Sequence, residues 1–173
     1  MGSNSATAII LMGHGSRVPG SGGDMEKVAR RLAATCGYAL VEICYMSRVA
    51  PYFPEALEKC VKQGAAKIVV IPYFLHSGLH LVLDIPQMIQ EKARIYPDVE
   101  IIYGKHLGFD DSMVALVEKR IEESMTLGDV RTIKFPPREK YPLPKGELEF
   151  IPMTLEEAEK YRSEHDIHHD HHH

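Results

Sequence analysis

Short apolar runs alternate with segments of helical periodicity along the first 125 residues. "TAIILMG", "ALVEICY", "AKIVVIPYF" and "VEIIYG" are brief, rich in β-branched residues and nearly continuously apolar. Strands buried on both faces of a parallel sheet read this way. Between these runs, apolar residues recur every three or four positions. Asp24 suits an N-cap, Met25, Val28, Leu32 and Cys36 then share one face, and Gly37 suits a left-handed stop. A second helix is expected from about Pro54 to Gly64. A third should cover roughly Asp84 to Tyr96, since Pro86 is tolerated only near a helix start and Pro97 closes it. The fourth runs from Asp110 or Asp111 to about Met125, with Met113, Leu116, Val117 and Ile121 as its buried stripe.

Strand and helix alternating four times imply right-handed crossovers and an α/β fold, a three-layer α/β/α sandwich around a four-stranded parallel sheet. Such a sheet commonly runs in the flavodoxin-like order 2-1-3-4, which makes the first and third strands neighbours at the switch point where ligands bind. Residues 1–125 form this domain, and residues 126–173 read as an irregular extension with five prolines between Pro136 and Pro152. Within the extension "TLEEAEKYRSEH" is a short helix, with Thr154 and Glu157 as a capping box. The chain ends in "HDIHHDHHH".

Composition narrows the functional classes. The net charge of -4 disfavours non-specific nucleic-acid binding, which needs a basic surface. No apolar run reaches the ~20 residues of a membrane span, and "MGSNSATA" has neither a basic nor an apolar leader region, so a cytoplasmic location is expected. Three widely spaced cysteines, Cys36, Cys44 and Cys60, match neither a disulfide framework nor a zinc-finger spacing and read as reduced, mostly core residues.

The candidate chemistry gathers at strand ends. His14 follows the first strand between Gly13 and Gly15, and the third strand leads into His76 and His80. If those strands are adjacent, the imidazoles emerge at one sheet edge, suited to proton transfer or to a divalent transition metal. Gly13 and Gly15 permit a sharp turn and close approach of a ligand to the backbone. "PGSGGD" is neither a P-loop nor a dinucleotide fingerprint, although its amides could hold a carboxylate at the positive helix end. Ser77 and Gly78 make "HSGLH" read as a loop, so His76 is an auxiliary residue more than a ligand.

"LMGHGSR", "PYFPEAL", "VIPYFLHSGLHLVLDIPQMI" and "YGKHLGFDDSMVALV", in this order over residues 7–125, resemble the small sirohydrochlorin cobaltochelatases of the class II tetrapyrrole chelatases. The resemblance implies insertion of Co2+ into sirohydrochlorin in anaerobic cobalamin synthesis, without ATP and with no tightly bound cofactor. It implies a homodimer whose protomers share a cleft, with sirohydrochlorin and a divalent metal ion as partners. By position His14 and His80 match the family's histidines and become the catalytic and metal-binding candidates. The substrate carries eight carboxylates, so Arg17, Arg48 and Lys105 are candidate cations, Arg17 foremost because it lies beside His14, while Ser16 and Gly78 join the substrate-binding candidates. Two departures stand out. Ser47 occupies the place of a glutamate common after the second strand, and Leu83 replaces the acid before Asp84.

Other readings remain open on these residues. Nickel or ferrous iron would suit the same imidazoles, and a metal-delivery protein would carry the same histidines without room for a macrocycle. A histidine phosphatase would need an arginine where Gly13 stands. The interrupted histidine tail, unlike an uninterrupted purification tag, reads as a metal-binding or storage tract.

Overall fold

A computed structural model describes residues 6–38, 40–141 and 152–165. Its compact units are Met1–Asp129 and Val130–His173. In the first unit, β1 (Thr7–Gly13), β2 (Leu40–Tyr45), β3 (Lys67–Pro72) and β4 (Glu100–Tyr103) form a parallel sheet in the order β2-β1-β3-β4. The helices between them are α1 (Gly23–Thr35), α2 (Phe53–Lys62) and α3 (Ile85–Ala93), with α4 (Asp111–Ser124) after the last strand. The expected α/β class and sheet order are both observed.

The sheet divides its side chains between two faces because strand residues alternate. Ala8, Ile10 and Met12 of β1 join Ile68 and Val70 of β3 in one cluster with Phe53, Leu57, Ile85 and Ile89 from α2 and α3. Ile9 and Leu11 point the other way, into a smaller cluster with Met25 and Ala29 of α1. β1 is buried throughout apart from half-buried Thr7, which explains its unbroken apolar run. β2 carries Glu42 inward, and Lys59 of α2 neutralises it at 2.7 Å.

Several local expectations change. α1 begins two residues earlier than a cap at Asp24 would require: Gly22 is its N-cap, without a side-chain bond, and Asp24 pairs with Lys27 inside the first turn. Its buried residues are Met25 and Ala29, while Val28 and Cys36 are exposed. Cys36 therefore leaves the core, which keeps Cys44 and Cys60. Gly37 and Gly64 do take the left-handed conformation that ends their helices. The third helical stretch starts as a π-helical turn, His80–Asp84, before α3 proper.

The largest correction concerns α4. Asp110 caps it by accepting from the Ser112 amide at 2.9 Å, yet the helix buries no residue. Leu116, Val117 and Ile121 of the expected buried stripe are exposed and Met113 is half-buried.

In the second unit, α5 (Leu155–His165) carries the expected capping box. The Glu157 amide donates to Thr154 Oγ1 at 3.2 Å, and the Thr154 amide donates back to Glu157 Oε2 at 2.8 Å. Single 3₁₀ turns occupy Val130–Thr132 and Arg138–Lys140. The histidine tail beyond His165 lies outside the described residues.

Burial pushes the Cys44 and Cys60 thiols up to about 12, the first helped by its neighbour Cys60 and the second by Glu42. Both stay protonated and shielded at neutral pH, whereas Cys36 lies on the surface. A thiol-reactive chromogen at pH 8 should therefore titrate one fast group in the folded chain and all three cysteines in denaturant; two or more fast groups in the folded chain would contradict this packing.

Candidate metal and ligand site

The sheet order brings the carboxyl ends of β1, β2 and β3 to one edge. Backbone bonds weld them together there: the Tyr73 amide donates to Met12 O at 2.7 Å, and the Met46 amide donates to Gly13 O at 2.8 Å. β1 therefore delivers His14 to the surface between two neighbouring strand ends. The next residue, Gly15, has φ 92, and a Cβ there would collide with the Ser47 carbonyl oxygen. Glycine is required at that position both by conformation and by space.

His14 is exposed, and its Nδ1–H donates to the Gly15 carbonyl at 3.1 Å, because a carbonyl can only accept. With the proton on Nδ1, the Nε2 lone pair is left for another partner. Its ring meets Phe74 edge-on, with centroids 6.4 Å apart. The cleft beside it is lined by Ser16, Gly22, Met25, Tyr45 and Tyr73, and continues past Tyr45 to Arg17 and Arg48. Ser16 Oγ accepts from the Val18 amide at 3.2 Å, so it also braces its own loop.

His80 belongs to a separate segment, the turn that begins eight residues past the end of β3. It opens the π-helical turn after β3, is exposed, and its Nδ1–H donates to Asp84 Oδ2 at 2.7 Å. A carboxylate behind an imidazole fixes the tautomer and ring orientation, and again leaves the Nε2 lone pair for another partner. The turn is itself anchored from β4: Tyr103 Oη donates to the Leu81 carbonyl at 2.8 Å while Leu81 is buried. "HSGLH" is thus only partly a loop. His76 lies in an exposed bend, whereas His80 is helical.

His14 and Ser16 line one cavity of the cleft and Ser16, Arg17 and Arg48 line the adjoining one, the two meeting at Ser16, Gly22 and Tyr45. His76, Gly78, His80 and Lys105 are not among that cleft's lining residues. Among the described residues no three His, Cys, Asp or Glu side chains converge as a metal-holding group. Gly78 acts through its backbone: its carbonyl accepts from the Leu81 and Val82 amides, and space around it is open. Ser47 lies against the site through its amide, which donates to the His14 carbonyl at 3.3 Å. Leu83 is exposed on the turn beside Asp84.

Three aromatic residues escaped the sequence reading. Tyr45 lines the cleft on both sides, and burial followed by the nearby Glu26 raises its hydroxyl above the ordinary tyrosine range. Phe74 joins His14 to the segment leading to His80. Tyr103 holds the His80 turn. The available signal was their position, since each closes or directly follows an apolar strand run.

The CbiX family model matches residues 8–124, which span the sheet, the cleft and both histidine-bearing segments. The chain belongs to the CbiX family. It is similar to a sirohydrochlorin cobaltochelatase of Methanocaldococcus jannaschii, 34% identical over 137 residues, covering 65% of this chain and 96% of that one. It also resembles two proteins of Priestia megaterium, a sirohydrochlorin cobaltochelatase and a sirohydrochlorin ferrochelatase, each 31% identical, over 72% and 68% of this chain. The chain spans only 40% and 44% of the length of those two. Among solved structures, the sirohydrochlorin chelatase SirB of Bacillus subtilis subspecies spizizenii, in complex with cobalt, superposes with a TM-score of 0.64 at 34% identity. That match covers 68% of this chain and 50% of the other.

Backbone constraint at the CbiX cleft can be tested directly. Gly15 and Gly20 both have positive φ, but only at Gly15 would a Cβ meet backbone. Gly20→Ala should cost about 1 kcal/mol, the usual left-handed penalty, and Gly15→Ala distinctly more. Urea unfolding of the two variants checks the order.

Proposed function

We infer that this CbiX family member is a cytoplasmic sirohydrochlorin chelatase, working as a homodimer and inserting Co2+ into the tetrapyrrole without ATP. The observation that carries the reading is the pair of exposed imidazoles, His14 directly after β1 and His80 on the turn that follows the neighbouring β3, each held through Nδ1 so that the Nε2 lone pair is left for a metal or a proton. The names of the relatives support the substrate, and they divide between cobalt and iron as the metal.

Metallation needs a divalent ion to lose water, the ring nitrogens to replace it, and two pyrrole protons to leave. Neutral imidazole nitrogens suit the first task, because they bind a borderline ion without a compensating charge and release it to a better chelator. As the ion passes to the ring, an imidazole freed of metal has a lone pair to accept a departing proton. Asp84 stabilises the imidazolium that His80 then becomes. Two protons leave and one divalent ion enters, so the ring's charge is unchanged and no redox partner is required.

The ring's carboxylates call for cations at the rim. Arg17 and Arg48 line the cleft beyond Tyr45, and Arg48 is held at φ 75. A non-glycine residue in that conformation costs on the order of 1–3 kcal/mol. The strain is consistent with a guanidinium aimed for a purpose.

Anaerobic incubation of the purified chain with sirohydrochlorin and Co2+, followed by absorbance, tests the reading. His14→Ala and His80→Ala should each lower the rate by about a hundredfold or more, in the range expected of a positioned acid–base group. A rate no faster than the uncatalysed one in the intact chain would sink the proposal, and parallel runs with Fe2+ and Ni2+ rank the metals. Deleting residues 165–173 should leave turnover at saturating cobalt intact, since a histidine-rich tract binds metal loosely. Arg48→Gly should relieve the backbone strain, raising stability by about 1 kcal/mol, while raising KM for the tetrapyrrole; a variant with unchanged KM would remove Arg48 from the substrate site.

A further inference from the structure

The two faces of the sheet are unequally covered. α2 and α3 pack on one, while α1 alone packs on the other. β3 records the difference in its own alternation: Ile68, Val70 and Pro72 are buried, but Val69 and Ile71 on the α1 side are only half so. Ile102 of β4, paired with Val69 in register and therefore on the same face, is exposed. An apolar groove results between α1 and β3, lined by Ile9, Leu11, Val28, Leu32, Val69 and Ile71. A three-layer sandwich needs a second helix there.

The chain contains a helix of the right kind. α4 buries nothing, and Met113, Val114, Val117 and Ile121 form an apolar stripe along it, bordered by Glu118 and Glu122. At 1.5 Å per residue its 14 residues span about 21 Å, close to the roughly 23 Å of the seven-residue β1 it would cross. Charge agrees as well. Lys67 lies in the groove lining and exposed Arg31 precedes Leu32, so both acids of α4 would meet basic neighbours.

No residue of α4 lines the groove of its own chain. Leu107 lines the groove's end, and the amides of Leu107 and Gly108 are pinned to the Phe74 carbonyl at 3.1 and 3.4 Å. Only Phe109 and Asp110 remain before the helix, and Asp110 is fully extended at φ -155, ψ 152. Two unpartnered faces of matching length and opposite charge, on one chain, close most simply on a second copy.

We propose that two copies of this chain exchange α4, each helix laying its Met113–Val117–Ile121 stripe into the groove between α1 and β3 of the other. The contact is self-complementary, so it closes as a two-fold dimer and leaves neither apolar face in water. It completes the third layer of each sandwich with a helix from the partner. The proposal builds on the homodimer proposed above by naming the surface that forms it. A dimer joined elsewhere would leave that reading standing and overturn only this one.

The test uses the full chain in a Cys36→Ser background carrying both Val69→Cys and Val117→Cys, oxidised with a diamide reagent and run on non-reducing denaturing gels. Exchange gives a covalent dimer. A covalent monomer means that α4 closes on its own sheet, and absence of any cross-link means that α4 does not reach the groove; either overturns the proposal. As a second arm, Val117→Glu with Ile121→Glu alters side chains already more than half exposed in the single chain, at 54% and 52%. Light scattering should show the unaltered chain as a dimer and this variant with a dissociation constant raised roughly a hundredfold, with its circular dichroism unchanged. A monomeric unaltered chain, or a dimer indifferent to the two glutamates, would refute the exchange.

Discussion

Everything at the site depends on β1 being paired on both edges and buried on both faces. Parallel pairing with β2 on one side and β3 on the other puts three carboxyl ends at one level. The chain must then leave the sheet there without exposing unpaired backbone. The Tyr73–Met12 and Met46–Gly13 bonds supply that pairing just past the strands. His14 therefore stands on a rigid scaffold, and Gly15 lets the following loop pass beneath Ser47 without collision.

His80 is held by a different set of forces. Its turn is π-helical, an uncommon geometry frequent at functional sites, and the widened turn is supported from outside by the Tyr103 hydroxyl. Asp84 orients the ring within the same turn. One histidine is thus fixed by the sheet and the other by a helix start braced from β4. Phe74 touches the first and its carbonyl anchors the loop after β4, which couples the two supports through one residue.

The same sheet has an unfinished side. Alternation along β3 buries every second residue against α2 and α3 and leaves the others half-covered, because among the described residues only α1 lies on that face. The apolar stripe of α4 is the counterpart of that deficit. A small domain buries a modest share of its surface, so an uncovered face is a proportionately large loss.

Strand positions, parallel class and the emergence of His14 at a strand end were legible in the sequence because they rest on local periodicity and on short-range glycine chemistry, whereas the sheet order came only from what sheets of this class commonly adopt. The capping box at Thr154 and Glu157 was legible for the same reason, being a contact within one turn. Burial is a relation between two elements, and there the periodicity of one was insufficient. Cys36 and Val28 follow the helical spacing of α1 but lie beyond the edge of what the sheet covers. The α4 stripe has the pattern of a core face and finds no core among the described residues. Tertiary contact also decided that His80 belongs to a helical turn, since Ser77 and Gly78 favour a loop until Tyr103, far along the chain, holds the turn closed. The sequence by itself determined that His14 follows the first strand and His80 the third, because strand ends are set by local pattern; the packing of distant segments decided how each imidazole is held.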